Sequence, residues 1–443
     1  MMRERIKNLA GRLARSRIFR ASSVLLIANW SSTALSIVTS IILTRLLGAD
    51  GYGLIVIAIA VVNTITQFMD IRAGEGVIRF MGNALARGEK QEAMAFFYVG
   101  ISADVLLMLA TLVATLIFAP LAVEVSPQRE VLRSLVLIYL WTIPFATLEE
   151  TFSSVLNVFK RFNLLAIGTL VNGLILLAAL VALAPYGVAA VMLGYVIAAA
   201  CSFLLWLVMG LWLILKHVGT LRSVGYWAAW RRFLYFSFHT SFAQSIKAIM
   251  SNIDILLIGA LRPPAEAGFF RIARSAASLI TMPTAPVSDV IYPEMNEAWA
   301  VDNLQRVKRL IRQYMLATLG ISTAVYTFLA VAADWLVGLL YPPAFAPAAN
   351  LIRILGIGVV LESIFRWVRR ATLAAGQPQL ATFYSVAEVL WRFVITIPFV
   401  FYMGAMGAAL AYVVVVVMTM TLIVLYVVPR IGLWNPFKRR TAG

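Results

Sequence analysis

The sequence predicts an all-α integral membrane protein of twelve transmembrane helices, built as two similar six-helix lobes. Three observations carry this. Of the 443 residues, 62% are hydrophobic and only 13% charged, with a mean hydropathy of +0.89; an ordinary soluble domain is nearer a quarter charged. Apolar runs of about 20 residues recur along the whole length, each long enough to cross a hydrocarbon core of roughly 30 Å. Finally, one hairpin layout occurs twice. In residues 22–79 an apolar run, SSVLLIANWSSTALSIVTSIILT, leads through the turn RLLGADGYG into LIVIAIAVVNTITQFMDIRAGEGVIRF. It returns as FLYFSFHTSFAQSIKAIMSNIDILLIGA, LRPPAEAG and FFRIARSAASLITMPTAPVSDVIYPEM, with Gly53 and Gly268 in corresponding turn positions. The period-2 alternation of a membrane β-barrel is absent.

Taken in order, residues 1–20 form a basic segment carrying Arg3, Arg5, Lys7, Arg12, Arg15, Arg17 and Arg20. Ile6, Leu9 and Leu13 share a helical face there, which fits either a surface-lying helix or a disordered basic tail. The first apolar run is too long for a signal peptide. Spans are expected at 21–44, 53–78, 94–119, 132–159, 164–184 and 187–214, then at 233–260, 268–292, 312–340, 348–372, 380–402 and 405–428. The even-numbered connections hold Arg79, Arg87, Lys90, Lys160, Arg161, Lys216, Arg222, Arg231, Arg232, Arg306, Lys308, Arg309 and Arg312, with Arg366, Arg369 and Arg370 closing span 10. The odd connections hold only Arg45, Arg129, Arg133 and Arg262. This asymmetry puts both termini in the cytoplasm and explains the net charge of +17 as membrane topology, not nucleic-acid binding.

The repeat extends to GVAAVMLGYV from Gly187 and GAMGAALAYV from Gly404, where Tyr195 and Tyr412 coincide. A duplicated unit of six helices enters the membrane from the same side both times, so the halves form a parallel repeat. The domains expected are an N-lobe at 21–215, a cytoplasmic linker at 216–232, a C-lobe at 233–428 and a basic cytoplasmic tail at 429–443.

Polar side chains within a span mark a bundle interior or a wet cavity. Span 1 has Asn29, Ser32, Ser36 and Ser40 on one face; span 2 has Asn63, Gln67, Asp70 and Gly74. Span 7 has Gln244, Lys247, Ser251 and Asp254, and span 8 has Arg271, Arg274, Ser275 and Ser278. Arg271 and Arg274, one turn apart, suit bidentate recognition of phosphate. Lys247 needs an anion, water or ligand at its depth, or internal pairing with Asp254. Arg353 has no obvious local partner and is a further ligand candidate. Glu362 with Arg366, and Glu388 with Arg392, have the i,i+4 spacing of local neutralisation. Asp70, Asp104, Glu149, Glu150 and Asp254 are candidate proton or cation sites, with at most one of the adjacent glutamates facing a cavity. Pro283, Pro286 and Pro293 should kink or break span 8.

No enzyme constellation is present. There is no Walker loop, the single Cys201 lies in an apolar run, and His217 and His239 have no metal-ligand spacing. No catalytic residues, cofactor or metal are expected.

With these residues in view, the chain resembles the polysaccharide transporter branch, the Wzx-type flippases, of the multidrug/oligosaccharidyl-lipid/polysaccharide exporter superfamily. The resemblance rests on SSVLLIANWSSTALSIVTSIILTRLLGADGYGLIVIAIA, TLVNGLILLAALVALAPYGVAAVMLGYVIAA and LLIGALRPPAEAGFFRIARSAASL. It implies two six-helix lobes around a central cationic cavity. It also implies flipping of undecaprenyl-pyrophosphate-linked oligosaccharide across the bacterial inner membrane, with polysaccharide polymerase or assembly proteins as partners. Lys247, Arg271, Arg274 and Arg45 are the positions that could meet the pyrophosphate; the superfamily has no strict motif assigning them. A cation-coupled drug exporter of the same fold and a non-transporting scaffold of a glycan-assembly complex are the competing readings.

Overall fold

The computed structural model describes residues 17–219, 222–301 and 303–433, with side chains except at 17–23, 25, 238–251, 285–286, 288–290, 292 and 378. Most of the basic N-terminal segment, the end of the basic tail and the side chains of Lys247 and His239 therefore lie outside the described residues. All regular structure described is helical. The helices are α1 (Arg17–Met69), α2 (Ala73–Ala86), α3 (Lys90–Glu124), α4 (Arg129–Tyr139), α5 (Thr142–Val158), α6 (Phe162–Leu183) and α7 (Val188–His217). They continue as α8 (Tyr226–Leu261), α9 (Pro264–Ser278), α10 (Ala285–Ala300), α11 (Leu304–Leu340), α12 (Pro347–Phe365), α13 (Trp367–Ala374), α14 (Pro378–Leu422) and α15 (Val428–Arg430).

Among the described residues, eight helical stretches are long and apolar enough to cross a membrane. Two of them are double: 379–430 contains expected spans 11 and 12, and 26–69 runs through most of span 1 and the first part of span 2. Expected spans 7 and 8 are not among the eight. Much of both, 238–251 and most of 285–292, lies where side chains are not described, and the described part of span 7 is the short apolar helix Asn252–Leu261.

The turns differ from expectation in an instructive way. RLLGADGYG is not an open loop: helix continues through it, broken at the single residue Gly48 (φ 72°). Gly404 (φ 59°, ψ −138°) does the same within α14. Both conformations are ones a side chain resists, so one glycine redirects a helix without a loop. Expected span 2, by contrast, is interrupted. Between α1 and α2 the backbone N–H of Arg72 donates to Asp70 Oδ1 at 2.7 Å, and Arg72 itself is left-handed (φ 48°). A short carboxylate bonding its own backbone competes with helix continuation. Span 8 breaks between α9 and α10, where Met282–Thr284 form a 3₁₀ turn containing Pro283, while Pro293 sits inside α10.

Contacts divide the chain into two compact units. The first comprises Met1–Leu47, Ala58–Glu124 and Gln128–Ile249; the second comprises Gly48–Ile57, Val125–Pro127 and Met250–Gly443. In the first, α5 packs on α2, α3 and α7, around Met94, Phe97, Phe152, Trp206 and Phe233. The start of α8 belongs here: Tyr226 Oη donates to Ser102 Oγ at 2.8 Å, and the Arg79 guanidinium lies 4.4 Å from the Phe236 ring centroid.

In the second unit α12 packs on α9, α11 and α14, and Met295, Tyr314, Trp367, Val368 and Val427 form part of a further core. The two equivalent hairpin glycines meet here. A Cβ on Gly53 would fall 1.9 Å from the Pro264 carbonyl oxygen, and one on Gly268 would fall 3.2 Å from the Tyr52 ring. The turn between α8 and α9 also grips the Gly404 break. Arg262 donates to the carbonyls of Val400 (3.2 Å) and Phe401 (2.9 Å), and Glu266 Oε2 accepts from the Ala405 N–H (2.7 Å). A cation on the last carbonyls of one helical segment and an anion on the first N–H of the next match the dipoles of both.

Candidate functional site

The second unit holds a charge network built from four helices. Asp254 on α8 is 1% exposed, and its Oδ2 accepts from Arg274 Nη1 of α9 at 2.9 Å. Arg392 Nη1, on α14, reaches the same oxygen at 3.6 Å. Arg392 is itself buried, with Glu388 at 4.0 Å and the Tyr412 ring 5.3 Å away. Tyr412 Oη donates to Glu362 Oε2 on α12 at 2.6 Å, and Glu362 Oε1 lies 3.5 Å from Arg366. Asp254, Glu362 and Glu388 thus balance Arg274, Arg366 and Arg392. Low dielectric makes such balance necessary, because an uncompensated buried charge costs several kcal/mol. Of the two arginines on Asp254, Arg274 is the accessible one, its side chain being 34% exposed against 6% for Arg392.

The ligand candidates separate on this geometry. Arg271 is exposed and makes no ion pair among the described residues. Arg274 is engaged by Asp254. Arg45 is exposed in the first unit, ahead of Gly48. Arg353 is held elsewhere: it donates to Asp334, to Asn350 Oδ1 at 2.8 Å and to the Ala330 carbonyl at 3.1 Å. The side chain of Lys247 lies outside the described residues, and the partners of Asp254 come from other helices.

The first unit gathers the remaining acids. Asp104 on α3 is wholly buried beside Thr151 of α5; neither of its oxygens makes a hydrogen bond of ordinary length. Glu150 lies within electrostatic reach of Asp104 and Asp70, and its Oε1 accepts from the Gly74 N–H at 3.2 Å. Glu149 turns the other way, accepting from Ser202 Oγ of α7 at 2.6 Å. The adjacent glutamates therefore face different helices, as one helical step of about 100° requires. Among the described residues there is no cluster of three or more metal-ligating side chains.

The network's outer members escaped the sequence reading. Arg392 was accounted for by Glu388 four residues away, and nothing local shows that it is buried or that Tyr412 and Glu362 join it. The grip of Arg262 and Glu266 on Gly404 likewise joins residues 138 and 139 positions apart.

Long apolar helices with a charge-balanced network among them define a multi-pass membrane protein. Solved structures agree on the fold. An inward-facing multidrug resistance MATE family transporter of the MOP superfamily is 14% identical, with 90% of this chain and 94% of that one covered and a TM-score of 0.71. Lipid II flippase MurJ, in an inward closed conformation, is 16% identical over 92% and 87% of the respective chains, also with a TM-score of 0.71. An outward-facing MATE transporter matches at 0.60, with 13% identity over 95% and 97%. These neighbours are transporters and a flippase, not enzymes. No curated protein matches the chain. Residues 18–299 match the polysaccharide biosynthesis protein family, and the chain belongs to that family. The sequence match thus shows the family, and the solved structures show a fold shared with MATE transporters and MurJ.

Proposed function

We propose that the protein flips undecaprenyl-pyrophosphate-linked oligosaccharide, an O-antigen, exopolysaccharide or capsule repeat unit, from the cytoplasmic to the outer leaflet. Its place is the bacterial inner membrane, with both termini cytoplasmic. The observation that carries this reading is the family match over residues 18–299. The likeness to a lipid II flippase supports it, since that protein also moves a lipid-linked substrate. Arg271 and Arg274, one turn apart on α9, are the anion-recognising pair; two guanidinium forks suit a pyrophosphate. Lys247 and Arg45 are assigned secondary parts, whereas Arg353 is tied to Asp334, Asn350 and the Ala330 carbonyl. The repeat marks lobes at 21–215 and 233–428, though 233–249 pack with the first unit, and the lobes work by alternating access. That the matched transporters occur inward- and outward-facing supports the mechanism.

Net export needs an energy source. We assign coupling to a cation or the membrane potential through Asp70, Asp104, Glu149, Glu150 and Asp254; one charge crossing 100 mV is worth about 2.3 kcal/mol. If neutralising each acid singly leaves ion-dependent flipping intact, this assignment fails. A deletion strain tests the function itself. Loss of surface polysaccharide, restored by the wild-type gene, supports the flippase. The equal likeness to a drug transporter makes a cation-coupled multidrug exporter the second reading; drug sensitivity with intact surface glycan would establish it instead. A scaffold within a glycan-assembly complex would restore glycan even with Arg271 and Arg274 replaced.

A further inference from the structure

The two arginines on Asp254 are not equivalent. Both approach a single oxygen, Oδ2, from different helices. The Arg392 side chain is 6% exposed and fixed among Asp254, Glu388 and Tyr412, whereas the Arg274 side chain is 34% exposed. Asp254 Oδ1 has no hydrogen-bond partner among the described residues. Among the described residues the carboxylate is thus held through Oδ2 alone. If Arg274 swings away, Arg392 still compensates Asp254, and the buried charge is never left bare. Arg392, with its side chain only 6% exposed, has no comparable opening toward a ligand. One cation is thus built to exchange partners and the other to hold the place.

We propose that Asp254 is an internal stand-in for substrate phosphate. It pairs with Arg274 until a phosphoanhydride anion takes that guanidinium, and it takes Arg274 back to expel the anion. This rests on the reading of Arg274 as an anion-binding residue. It explains why a binding arginine is engaged by a carboxylate. A guanidinium without a counter-ion would bind a pyrophosphate tightly and release it slowly; an intramolecular competitor lowers affinity and speeds release, which a carrier needs. Arg271, one turn away and unpaired among the described residues, meets the anion first, and Arg274 joins by exchange.

The test is binding of inorganic pyrophosphate to the purified full chain, measured by titration calorimetry in nanodiscs with and without phosphatidylglycerol. Asp254→Asn should tighten binding by about tenfold or more, and Arg274→Gln should abolish that gain. Glu294→Gln, which removes an acid of the same unit that pairs with Arg306, should change nothing. In cells, Asp254→Asn should lower surface polysaccharide despite the tighter binding. Should the single variant fail to fold, Asp254→Asn/Arg392→Gln removes one buried charge of each sign and should show the same gain. Unchanged or weaker binding in the folded variant, with Arg274 still required, overturns the exchange but leaves Arg274 as the anion residue. A gain indifferent to Arg274→Gln, or one erased by phosphatidylglycerol, also overturns it. Absence of pyrophosphate binding in every variant defeats both the exchange and the anion-site reading beneath it.

Discussion

Gly404→Ala is the substitution that the structure penalises in two separable ways. At φ 59° and ψ −138° the residue occupies backbone space that is close to glycine-only, and a side chain there costs about 1–3 kcal/mol. The new Cβ would also stand 2.0 Å from Glu266 Oε2, which must then leave. Its departure breaks the 2.7 Å bond from the Ala405 N–H, and a hydrogen bond to a charged group is worth about 1.5–3 kcal/mol. The two together come to roughly 2.5–6 kcal/mol, which at about 2 °C per kcal/mol for a unit of this size lowers the melting temperature by about 5–12 °C. Thermal unfolding in detergent, followed by circular dichroism, reads this directly. Glu266→Ala alone should cost only the hydrogen bond. The double variant should be no worse than Gly404→Ala, because the same bond cannot be lost twice. Gly320→Ala is the control: nothing lies within 4 Å of the added carbon, and helix propensity should leave stability unchanged or raise it by up to about 1 kcal/mol. If Gly404→Ala melts with the wild type, or if the two costs add fully in the double variant, the clamp at the break is misread.

Other consequences can be checked alongside. Arg353→Ala loses bonds to Asp334, Asn350 and the Ala330 carbonyl, so melting should fall by about 1–2 kcal/mol while surface polysaccharide persists; loss of glycan at normal stability would return Arg353 to the ligand site. Asp104→Asn replaces a buried carboxylate without hydrogen bonds, so stability should hold or rise by about 1 kcal/mol, while flipping in proteoliposomes should lose its ion dependence. Ion dependence that survives would remove Asp104 from coupling. Gly53→Ala forces a methyl to 1.9 Å from the Pro264 carbonyl and should cost about 1–3 kcal/mol in a melting assay; a neutral result would mean the two hairpin turns do not touch as described.

What was legible in the sequence follows from the range of the physics involved. Hydropathy and charge asymmetry act over whole spans, so the helical membrane class and the family resemblance could be read from composition and short motifs. The repeat was legible because Gly53 and Gly268 had to stay small; that they do so by packing on each other's turns was not. Breaks were visible where proline forced them, as at Pro283. At Gly48 the turn was legible but not that a single residue makes it, and the break where Asp70 draws the backbone aside was invisible. Partners within a turn, such as Glu362 and Arg366, could be paired by spacing. Asp254 could not, because Arg274 and Arg392 reach it from other helices and its own helix offered only Lys247. Arg353 was singled out for lacking a local partner, yet Asp334 meets it from the preceding helix.

Flipping in reconstituted proteoliposomes puts the central claim to the most direct test. Undecaprenyl-pyrophosphate-linked oligosaccharide is placed in one leaflet, and its arrival in the other is followed by an enzyme that modifies only the exposed glycan. The account predicts transfer by the wild-type protein well above protein-free vesicles, and a fall of at least about tenfold for Arg271→Gln/Arg274→Gln in protein that remains folded at the assay temperature. Wild-type transfer no faster than in empty vesicles, or a folded double variant that flips as fast as the wild type, would contradict it.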